Sequence, residues 1–512
     1  MQSDFKSSLE ADKSTIVRLI LALFVVSFIS WFTYHSIDNW SAMFTSLDFA
    51  HIDSAAYNTA HGKFMYSNAK MINFFSEHIT PVLLVVSGFY LFSDGYWFIF
   101  FFQSFMLGLA AVPLFLVARY LLKNEWAALF IALGYLANGK VQLGALADYH
   151  MWSCTAFFLF SAFYAMLVRR WGWYALFSIL LLSVKEDAPA LLLGLGLYAA
   201  LVMKAYRQAF YTWLLCALAA AVSFMVVFPA LRYWDDYKYA TYYGWLGDGA
   251  IDIALNFISS PLEMIGKLTQ SGARIKAWYS FSLQYGFLPF LSPTGMAILF
   301  LPSMELFLSN YWRMYGLNFH YPLLVVPVWT LAAILGLKNI ATLARKIRLD
   351  KEKIKLVIII PAAYMLAANV WLSKYEGAMP FISNPSWKIT QDNRRHARIA
   401  RKLISMIPKT ATISAHDGPY NFLTHRPNAY LYHGDREGHS IVEFYRGKQS
   451  HGYELYPFTK MPIDYIVLDV KAPGGFRRKY HPKDVADLNG QKDYELWKNE
   501  DGIYVYKRKG AK

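Results

Sequence analysis

Three consecutive charged residues, Lys185, Glu186 and Asp187, interrupt a long apolar stretch in the middle of the chain. Ionisable groups at membrane depth are energetically costly, so such residues mark either a functional site or the boundary between two spans. A lysine held among carboxylates on the outer membrane surface could bind the phosphate of a lipid-linked ligand. The simpler interpretation is that the three residues only form the turn between two helices.

A second group of polar residues follows the first apolar segment of the chain. The motif LDFAHID contains Asp48 and Asp53, and the motif SEHITP contains His78. A carboxylate at the membrane surface can act as a general base or as a metal ligand. The alternative is that the two aspartates cap a helix in a solvated loop. His78 could contact a phosphate or a sugar hydroxyl, or could simply begin a short helix.

Two further motifs are predicted on the same outer surface. The motif ADYHMW contains Asp148 and His150, and the motif FLSNYWRMYGLNFHYP contains Arg313, His320 and Tyr321. A cation, an imidazole and aromatic rings near the lipid headgroups suit a phosphoryl or sugar ligand. The alternative for the second motif is an aromatic belt with its usual basic anchors.

The elements that position these residues are long and apolar. The chain has 512 residues, of which 56% are hydrophobic and 17% are charged, against roughly 25% charged residues in soluble chains. This composition excludes a disordered chain and is atypical of a soluble enzyme. Because about 20 apolar residues cross a bilayer, we predict spans at 15–35, 97–119, 125–139, 152–168, 172–184, 188–204, 208–229, 273–290, 293–309, 321–337 and 355–373. The apolar stretch 80–92 is too short to cross and is predicted to lie at the interface or to re-enter.

Basic residues predict the orientation of these eleven spans, because cytoplasmic loops carry an excess of Lys and Arg. With 80–92 not crossing, all of the basic clusters fall on one side of the membrane; they lie at 6–18, 119–123, 169–170, 204–207 and 345–355. The N-terminus is therefore predicted to be cytoplasmic and the region after the last span to be outside. The same clusters account for the net charge of +15 without a nucleic-acid partner.

The composition changes near Trp371, where the long apolar runs end. We therefore predict a polytopic membrane domain over residues 1–373, including an outer loop at 36–79, and a soluble extracytoplasmic α/β domain over 374–512. In the second domain, TATIS and YIVLDV are typical of buried strands, and the C-terminal ELW and GIYVYKRK segments indicate a hairpin.

The cysteines and the first apolar segment indicate which disulfides, cysteine metal sites and cleavage events to expect. Cys154 and Cys216 both lie in apolar runs, so neither a disulfide nor a metal site built on cysteine is expected. The first apolar segment has no small-residue cleavage motif, so it is predicted to remain as an uncleaved span.

The ordered set of an Asp in the first outer loop, then NTAHGK, EHITP, DYH, KED and HYP, resembles the DUF2079 family of predicted membrane proteins over roughly residues 40–340. That family is in turn similar in architecture to the GT-C class of polytopic glycosyltransferases, which use polyprenyl-phosphate sugars. The resemblance implies an α-helical polytopic membrane protein of about 11 transmembrane helices, GT-C-like, with a small C-terminal extracytoplasmic α/β domain.

The function that this resemblance implies is a membrane glycosyltransferase of the bacterial inner membrane. It would move a sugar from a polyprenyl-phosphate donor to a hydroxyl of a glycan or lipid acceptor on the extracytoplasmic side. By position, Asp48 matches the catalytic acidic residue of the class, with Asp53 as its competitor. The implied catalytic residues are Asp48, Asp148 and His320, and the implied substrate-binding residues are Asp53, His78, His150, Lys185, Glu186, Asp187, Arg313 and Tyr321.

Within this scheme Lys185 and His320 would stabilise the departing phosphate, and the aromatic loop 233–246 would cover the lipid or the sugar. The first outer loop lacks the paired-carboxylate motif of the protein O-mannosyltransferases. This departure from the class pattern favours a metal-independent enzyme without a cofactor over one that needs a divalent metal.

Two other functions are compatible with the same residues. A transporter or flippase for a lipid-linked or anionic solute would show broken helices and charges at the membrane midplane. A non-catalytic assembly protein would use the membrane domain as an anchor and the α/β domain to bind a partner. Charges clustered at the outer surface and the absence of an inverted repeat in the sequence favour the enzyme.

Overall fold

The computed structural model describes residues 2–231, 238–378, 389–432, 463–471 and 481–511. The chain folds into two compact units, each assembled from separate stretches. The first unit contains residues 1–33, 101–226 and 237–384, and the second contains residues 34–100, 227–236 and 385–512. The first unit is helical, and the second combines helices with a five-stranded sheet.

The helices of the first unit follow the apolar segments, because an apolar segment in lipid must satisfy its backbone groups internally. Together with the first helix, which continues into the second unit, they are Gln2–Ser41, Trp97–Leu109, Ala111–Leu122, Glu125–Ala137, Gly139–Leu146, Thr155–Leu167, Trp171–Leu182, Pro189–Leu201, Tyr206–Ala221, Ala250–Ser259, Pro261–Thr269, Gly272–Gln284, Pro293–Leu308, Trp312–Tyr315, Pro322–Lys346 and Lys351–Glu376.

Five helices in the described part of the chain are long and apolar enough to cross a bilayer: Ser14–Ser41, Trp97–Leu122, Tyr206–Leu231, Pro322–Lys346 and Lys351–Glu376. Helices 125–137 and 139–146 would form a sixth span, bent by 46° at Asn138. Shorter apolar helices occupy other predicted spans, at Met151–Leu167, Trp171–Leu182, Pro189–Leu201 and Pro293–Leu308. The short helix Pro81–Tyr90 lies in the stretch 80–92, which was predicted not to cross. The structure thus has the several apolar helices of a membrane protein.

One predicted span differs in character from the others. The segment 273–290 forms helix Gly272–Gln284, which is not among the apolar helices found in the described residues. Its sequence includes Arg274, Lys276 and the terminal Gln284, so polar and charged groups interrupt its apolar face. Two of these polar groups are buried, and their partners are described below.

In the sheet of the second unit, strands β3 (Ile413–Ala415), β4 (Ala429–Leu431) and β5 (Tyr465–Asp469) are parallel, and β6 (Tyr494–Glu500) and β7 (Ile503–Arg508) form an antiparallel hairpin. The strand order across the sheet is β4-β3-β5-β7-β6. The strands predicted within TATIS and YIVLDV and the predicted C-terminal hairpin are therefore confirmed. A two-stranded ribbon, β1 (Tyr66–Ser67) and β2 (Ile72–Asn73), lies in the N-terminal part of the unit.

The helices of the second unit are Leu47–Ala60, Leu84–Tyr90, Gln391–Ser405, Asp417–Tyr420 and His481–Asn489. Helix 391–405 packs its apolar face against the sheet through Ala397, Ala400 and Leu403. From the same helix, His396 contacts Asp469 at the end of β5 at 3.0 Å and Asp501 in the β6–β7 turn at 3.1 Å.

The N-terminal outer loop contributes to the core of this unit. Met43, Leu47, Ala50 and Ala69 belong to the same buried cluster as the strands of the sheet. The predicted membrane domain includes residues 36–79, whereas the structure groups residues 34–100 with the C-terminal region. The reason is that these apolar side chains have their packing partners in the sheet, several hundred residues later in the chain.

Candidate functional site

The charged residues 185–187 form a turn in the first unit, as the simpler interpretation of the sequence proposed. Helix 171–182 ends just before them, and Pro189 occupies the first position of the next helix, where its missing N–H has no consequence. The Nζ of Lys185 lies 2.5 Å from Oδ2 of Asp187 and 3.7 Å from Oε1 of Glu186. Lys185 and Glu186 are both buried, so this turn is a packed charge cluster.

A tryptophan and a third carboxyl group complete the surroundings of Lys185. Its Nζ lies 4.3 Å from the ring centroid of Trp152, within the range of a cation–π contact. The indole N–H of Trp152 donates a hydrogen bond to Asp187 at 3.2 Å. The carboxyl group of Glu305 lies close enough to Lys185 and Asp187 to interact electrostatically with both.

The neighbouring carboxyl groups keep the ammonium of Lys185 protonated and at the same time offset its positive charge. Burial alone would lower the pKa of Lys185, but the adjacent carboxylates raise it by more, and the net pKa lies above the ordinary value. The three carboxyl groups outnumber the single ammonium. An anion entering this cluster would therefore meet carboxylate oxygens as well as Lys185, which disfavours the phosphate-binding role expected from the sequence.

An aromatic wall continues from this cluster. The imidazoles of His150 and His320 lie parallel, 3.7 Å apart between centroids. Nδ1 of His150 accepts a hydrogen bond from the backbone N–H of Trp152 at 3.3 Å, which requires that this nitrogen carry no proton. Tyr321 lies 4.5 Å from His320 and 5.7 Å from Trp152. The structure thus brings together six predicted site residues: His150, Lys185, Glu186, Asp187, His320 and Tyr321.

Arg313 lies beside this wall and has a different electrostatic environment from Lys185. Its guanidinium carbon is 5.0 Å from the ring of Phe319 and 5.8 Å from that of Tyr311, and Tyr311 lies 6.0 Å from Tyr321. Within the described residues Arg313 has no carboxylate partner, and its buried Nε makes no hydrogen bond. Among the described residues, therefore, no carboxylate offsets the positive charge of Arg313 next to the aromatic wall.

The loop that carries Arg313 is held in place by the buried Arg274 from helix 272–284. Arg274 donates to the backbone oxygens of Phe307 at 3.0 Å and Ser309 at 2.6 Å. Its guanidinium also lies 4.0 Å from the ring of Tyr315. A polar helix at this position, instead of a fully apolar span, therefore fixes the end of helix 293–308 and the loop after it.

The second unit contains a separate polar cluster around Asp53, which is fully buried. Tyr90 donates a hydrogen bond to Oδ1 of Asp53 at 2.5 Å, and Thr424 donates to Oδ2 at 2.6 Å. Nε2 of His425 lies 3.0 Å from Oδ2. With both carboxylate oxygens occupied, Asp53 joins helix 47–60 to the C-terminal part of the unit and is poorly placed to receive a substrate proton.

The ring of His425 is enclosed on both faces. It stacks against Tyr57 at 4.2 Å and against Tyr96 at 4.0 Å. Its Nδ1 lies 3.2 Å from the backbone oxygen of Asp94. These contacts fix the imidazole that touches Asp53 and strengthen the connection between the two ends of the unit.

A second buried cluster on the same helix involves His51. Its Nε2 lies 3.1 Å from Oε2 of Glu77, to which Lys70 donates at 2.6 Å. Nδ1 of His51 is buried and makes no hydrogen bond within the described residues. Burial, followed by the positive charge of Lys70, lowers the pKa of His51 to about 4.

The remaining predicted site residues are placed as follows. Asp48 is exposed in the first turn of helix 47–60, where its negative charge suits the helix N-terminus. His78, also in the second unit, is half-buried with its ring 6.1 Å from that of Phe74. Asp148 is half-buried in the first unit, two residues before His150. Of the predicted aromatic loop 233–246, residues 233–237 lie outside the described residues.

Several residues that line these clusters are not among the predicted site residues. Glu305 was hidden inside a predicted span, where one carboxyl group in an apolar segment is a recognisable signal. Trp152 lies within the ADYHMW motif, in which only Asp148 and His150 are predicted site residues. For Thr424 and His425 the sequence offered no signal, because they are 371 and 372 positions from Asp53. Among the described residues, no group of three or more His, Cys, Asp or Glu side chains could hold a metal ion.

Comparison with solved structures gives matches over almost the whole chain. ArnT from Cupriavidus metallidurans bound to undecaprenyl phosphate is 13% identical, covers 94% of this chain and 98% of its own, and has a TM-score of 0.47. The apo state of the same protein covers the same shares at 13% identity, with a TM-score of 0.44. A comparison with curated proteins gave no match.

Comparison with protein families matches residues 39–505 to the family described as predicted membrane protein DUF2079. The match covers both structural units, including the motifs around Asp48, Lys185 and His320 that carried the resemblance in the sequence. The chain therefore belongs to the DUF2079 family of predicted membrane proteins.

Proposed function

We propose that the protein is a membrane glycosyltransferase that moves a sugar from a polyprenyl-phosphate donor to an acceptor hydroxyl on the extracytoplasmic side of the bacterial inner membrane. The observation that carries this proposal is the cluster of carboxyl groups and aromatic rings around Lys185 in a helical, largely apolar unit. Carboxylate oxygens accept hydrogen bonds from sugar hydroxyls, and aromatic rings present apolar faces to a sugar ring. Apolar helices provide the surroundings for a lipid tail.

In this proposal the roles within the site follow the local charge. Glu186 and Asp187 bind sugar hydroxyls, and Lys185 keeps these carboxylates in place. Arg313 and His320 contact the departing phosphate, because no carboxylate in the described part of the chain pairs with Arg313, whereas Lys185 contacts both Glu186 and Asp187. Stabilising negative charge where it develops in the transition state is the largest contribution that such a group can make.

The proposed base is Asp48, which would accept the proton of the attacking acceptor hydroxyl. Its carboxylate is exposed, whereas both oxygens of the competing Asp53 are already engaged. The bond between the sugar and the phosphate breaks as the bond to the acceptor oxygen forms, and the polyprenyl phosphate leaves. Asp148, His78, His150 and Tyr321 contribute further contacts to the substrate.

Binding of a polyprenyl phosphate to the purified protein in lipid nanodiscs tests the assignment of the phosphate contact. Arg313→Gln removes a charge-assisted hydrogen bond of about 1.5–3 kcal/mol, so we expect binding to weaken by roughly 10-fold to 100-fold. Arg348→Gln is the matched control, because Arg348 is exposed and lies in the basic cluster 345–355 that is predicted to be cytoplasmic. This variant should bind as the wild type does. Equal affinity of all three proteins would contradict the phosphate role of Arg313.

A transfer assay tests the base separately. Asp48→Asn is expected to bind the lipid phosphate with unchanged affinity while losing sugar transfer. A protein that binds neither polyprenyl phosphate nor its sugar conjugate would contradict the transferase itself. Transfer that persists in Asp48→Asn would overturn only the base assignment.

One observation supports the second candidate function, a transporter or flippase. Helices 125–137 and 139–146 are broken at Asn138, which is buried. The side chain of Asn138 donates to Asn369 at 2.7 Å and to Gln284 at 3.1 Å. Broken helices with polar groups at the break are typical of transporter sites. Movement of a lipid-linked sugar across proteoliposomes without any transfer to acceptor would favour this function over the transferase.

A further inference from the structure

Two short helices of the first unit, Ala250–Ser259 and Pro261–Thr269, expose a stripe of large apolar side chains. The stripe consists of Leu255, Ile258, Leu262 and Ile265, whose exposed fractions are 61%, 78%, 82% and 58%. On each helix the two residues are three positions apart, so they project from the same face. We call residues 250–269 the helix pair and these four side chains its apolar stripe.

A different face of the helix pair packs against helix 293–308. Met264 is buried with Met304 and Leu308 of that helix, and Phe257 and Leu268 pack against the same cluster. The helix pair therefore has two apolar faces, of which the neighbouring helix covers only one. Because one apolar face is left exposed, residues 250–269 differ from an ordinary solvated outer loop.

The exposed apolar surface continues from the helix pair onto helix 293–308. Phe257 lies 6.2 Å from Phe300, which is itself 42% exposed on helix 293–308. Helix 293–308 is one of the apolar helices of this membrane protein. Helix 206–231, which is long enough to span, exposes its apolar side chains to a similar degree; for example, Phe210 is 58% exposed. The stripe thus continues an apolar surface of the kind that spanning helices present to lipid.

The stretch before the helix pair is attached to the helix that carries Glu305. The hydroxyl of Tyr243 donates to the backbone oxygen of Glu305 at 2.7 Å, and the indole N–H of Trp245 donates to that of Leu308 at 2.9 Å. These two hydrogen bonds hold the stretch beside helix 293–308, whose Glu305 belongs to the cluster around Lys185. Anchoring the helix pair therefore also anchors this stretch beside that cluster.

We propose that the helix pair lies in the membrane interface, with its apolar stripe buried among the acyl chains of the bilayer. Amphipathic helices bind in this way with their apolar face about 5–10 Å into the boundary between headgroups and acyl chains. Exposed carboxylates of the pair, such as Asp252 and Glu263, then remain on the side of the headgroups and water. The helix pair is thus a lipid-docking element that supports one edge of the candidate site.

A site-directed fluorescence experiment tests this placement. The full-length protein carries a single added cysteine, Leu262→Cys or Ile258→Cys on the stripe, or Glu263→Cys as the matched control on another face. Each variant is labelled with an environment-sensitive nitrobenzoxadiazole dye and reconstituted into phosphatidylcholine vesicles with or without nitroxide-labelled acyl chains. The wild type is the labelling blank, because both native cysteines are buried.

We expect blue-shifted emission at the two stripe positions and quenching by the acyl-chain nitroxides at least about twofold stronger than at Glu263→Cys, as for a face inserted below the headgroups. Equal and weak quenching at all three positions would place the stripe in water and overturn the proposal. Blue-shifted emission without nitroxide quenching would show that protein covers the stripe, and would overturn it equally. The substitutions are at exposed positions, so the labelled variants are expected to fold; circular dichroism of each checks this.

Discussion

Substitution of Asp53 by asparagine separates a structural carboxylate from a catalytic one. In the wild type, Asp53 accepts hydrogen bonds at 2.5 Å from Tyr90 and at 2.6 Å from Thr424, and it contacts His425 at 3.0 Å. Hydrogen bonds to a charged group contribute about 1.5–3 kcal/mol each. Asparagine keeps one neutral acceptor and places an amide donor where the second carboxylate oxygen was. One charge-assisted bond is therefore lost and the other is weakened.

The expected destabilisation is about 3 kcal/mol, the sum of one lost charge-assisted bond and part of another. For a unit of roughly 200 residues, about 2–4 °C is lost per kcal/mol. We therefore expect the apparent unfolding temperature of Asp53→Asn to fall by roughly 6–12 °C in detergent, as followed by tryptophan fluorescence.

Asp48→Asn is the matched control, because Asp48 lies on the same helix, five residues earlier, with an exposed side chain. We expect its unfolding temperature to stay close to that of the wild type while its transfer activity is lost. Unfolding of Asp53→Asn at the wild-type temperature would refute the structural role. If Asp53→Asn also lost transfer at that unchanged temperature, Asp53 would replace Asp48 as the proposed base.

Three further substitutions test the buried charges. Lys185→Met leaves its carboxylate neighbours unpaired and should destabilise the protein by about 3–5 kcal/mol, an effect that shrinks at acidic pH as the carboxylates protonate; a pH-independent unfolding temperature would contradict it. The pKa of His51 is lowered to about 4, so as the pH decreases the unfolded chain binds a proton before the folded protein does. The free energy of unfolding should therefore fall by about 3 kcal/mol as the pH decreases from about 6.5 to 4. His51→Gln should lose this pH dependence. The pKa of His396 is raised, because Asp469 and Asp501 outweigh the effect of burial. The stabilisation that His396 contributes should be fully present below pH 6.5 and be lost as the pH rises through the folded pKa. His396→Asn should remove this pH-dependent stabilisation, as measured by thermal unfolding across that range.

The cluster around Lys185 was largely predictable from the sequence, because charged residues within apolar segments are costly and therefore informative. Lys185, Glu186 and Asp187 interrupt an apolar run, and the structure packs them beside His150 and His320. The turn interpretation and the functional interpretation of 185–187 are compatible, since a turn at the end of two apolar helices can also hold a buried charge cluster. Their roles in catalysis stay predictions.

The role of Asp53 was not predictable in this way. Its partners Thr424 and His425 come from the opposite end of the chain, and no local pattern in either segment indicates that they meet. The same long-range packing explains why the predicted domain boundary near residue 373 differs from the division of the structure. Met43 and Leu47 are apolar residues of an outer loop in the sequence, but they belong to the core of the C-terminal sheet.

The comparison of Lys185 with Arg313 shows what determines the charge available to a ligand. Both are cations in predicted outer segments, and the resemblance implied that Lys185, as a basic residue on the outer surface, holds the phosphate. In the structure the adjacent carboxylates contact its ammonium, at 2.5 Å for Asp187, and offset its charge. Arg313 contacts the rings of Tyr311 and Phe319 instead, and no carboxylate within the described ranges pairs with it. A ligand anion responds to the net field of all neighbouring groups, so the cation with fewer acidic neighbours is the stronger candidate for the phosphate.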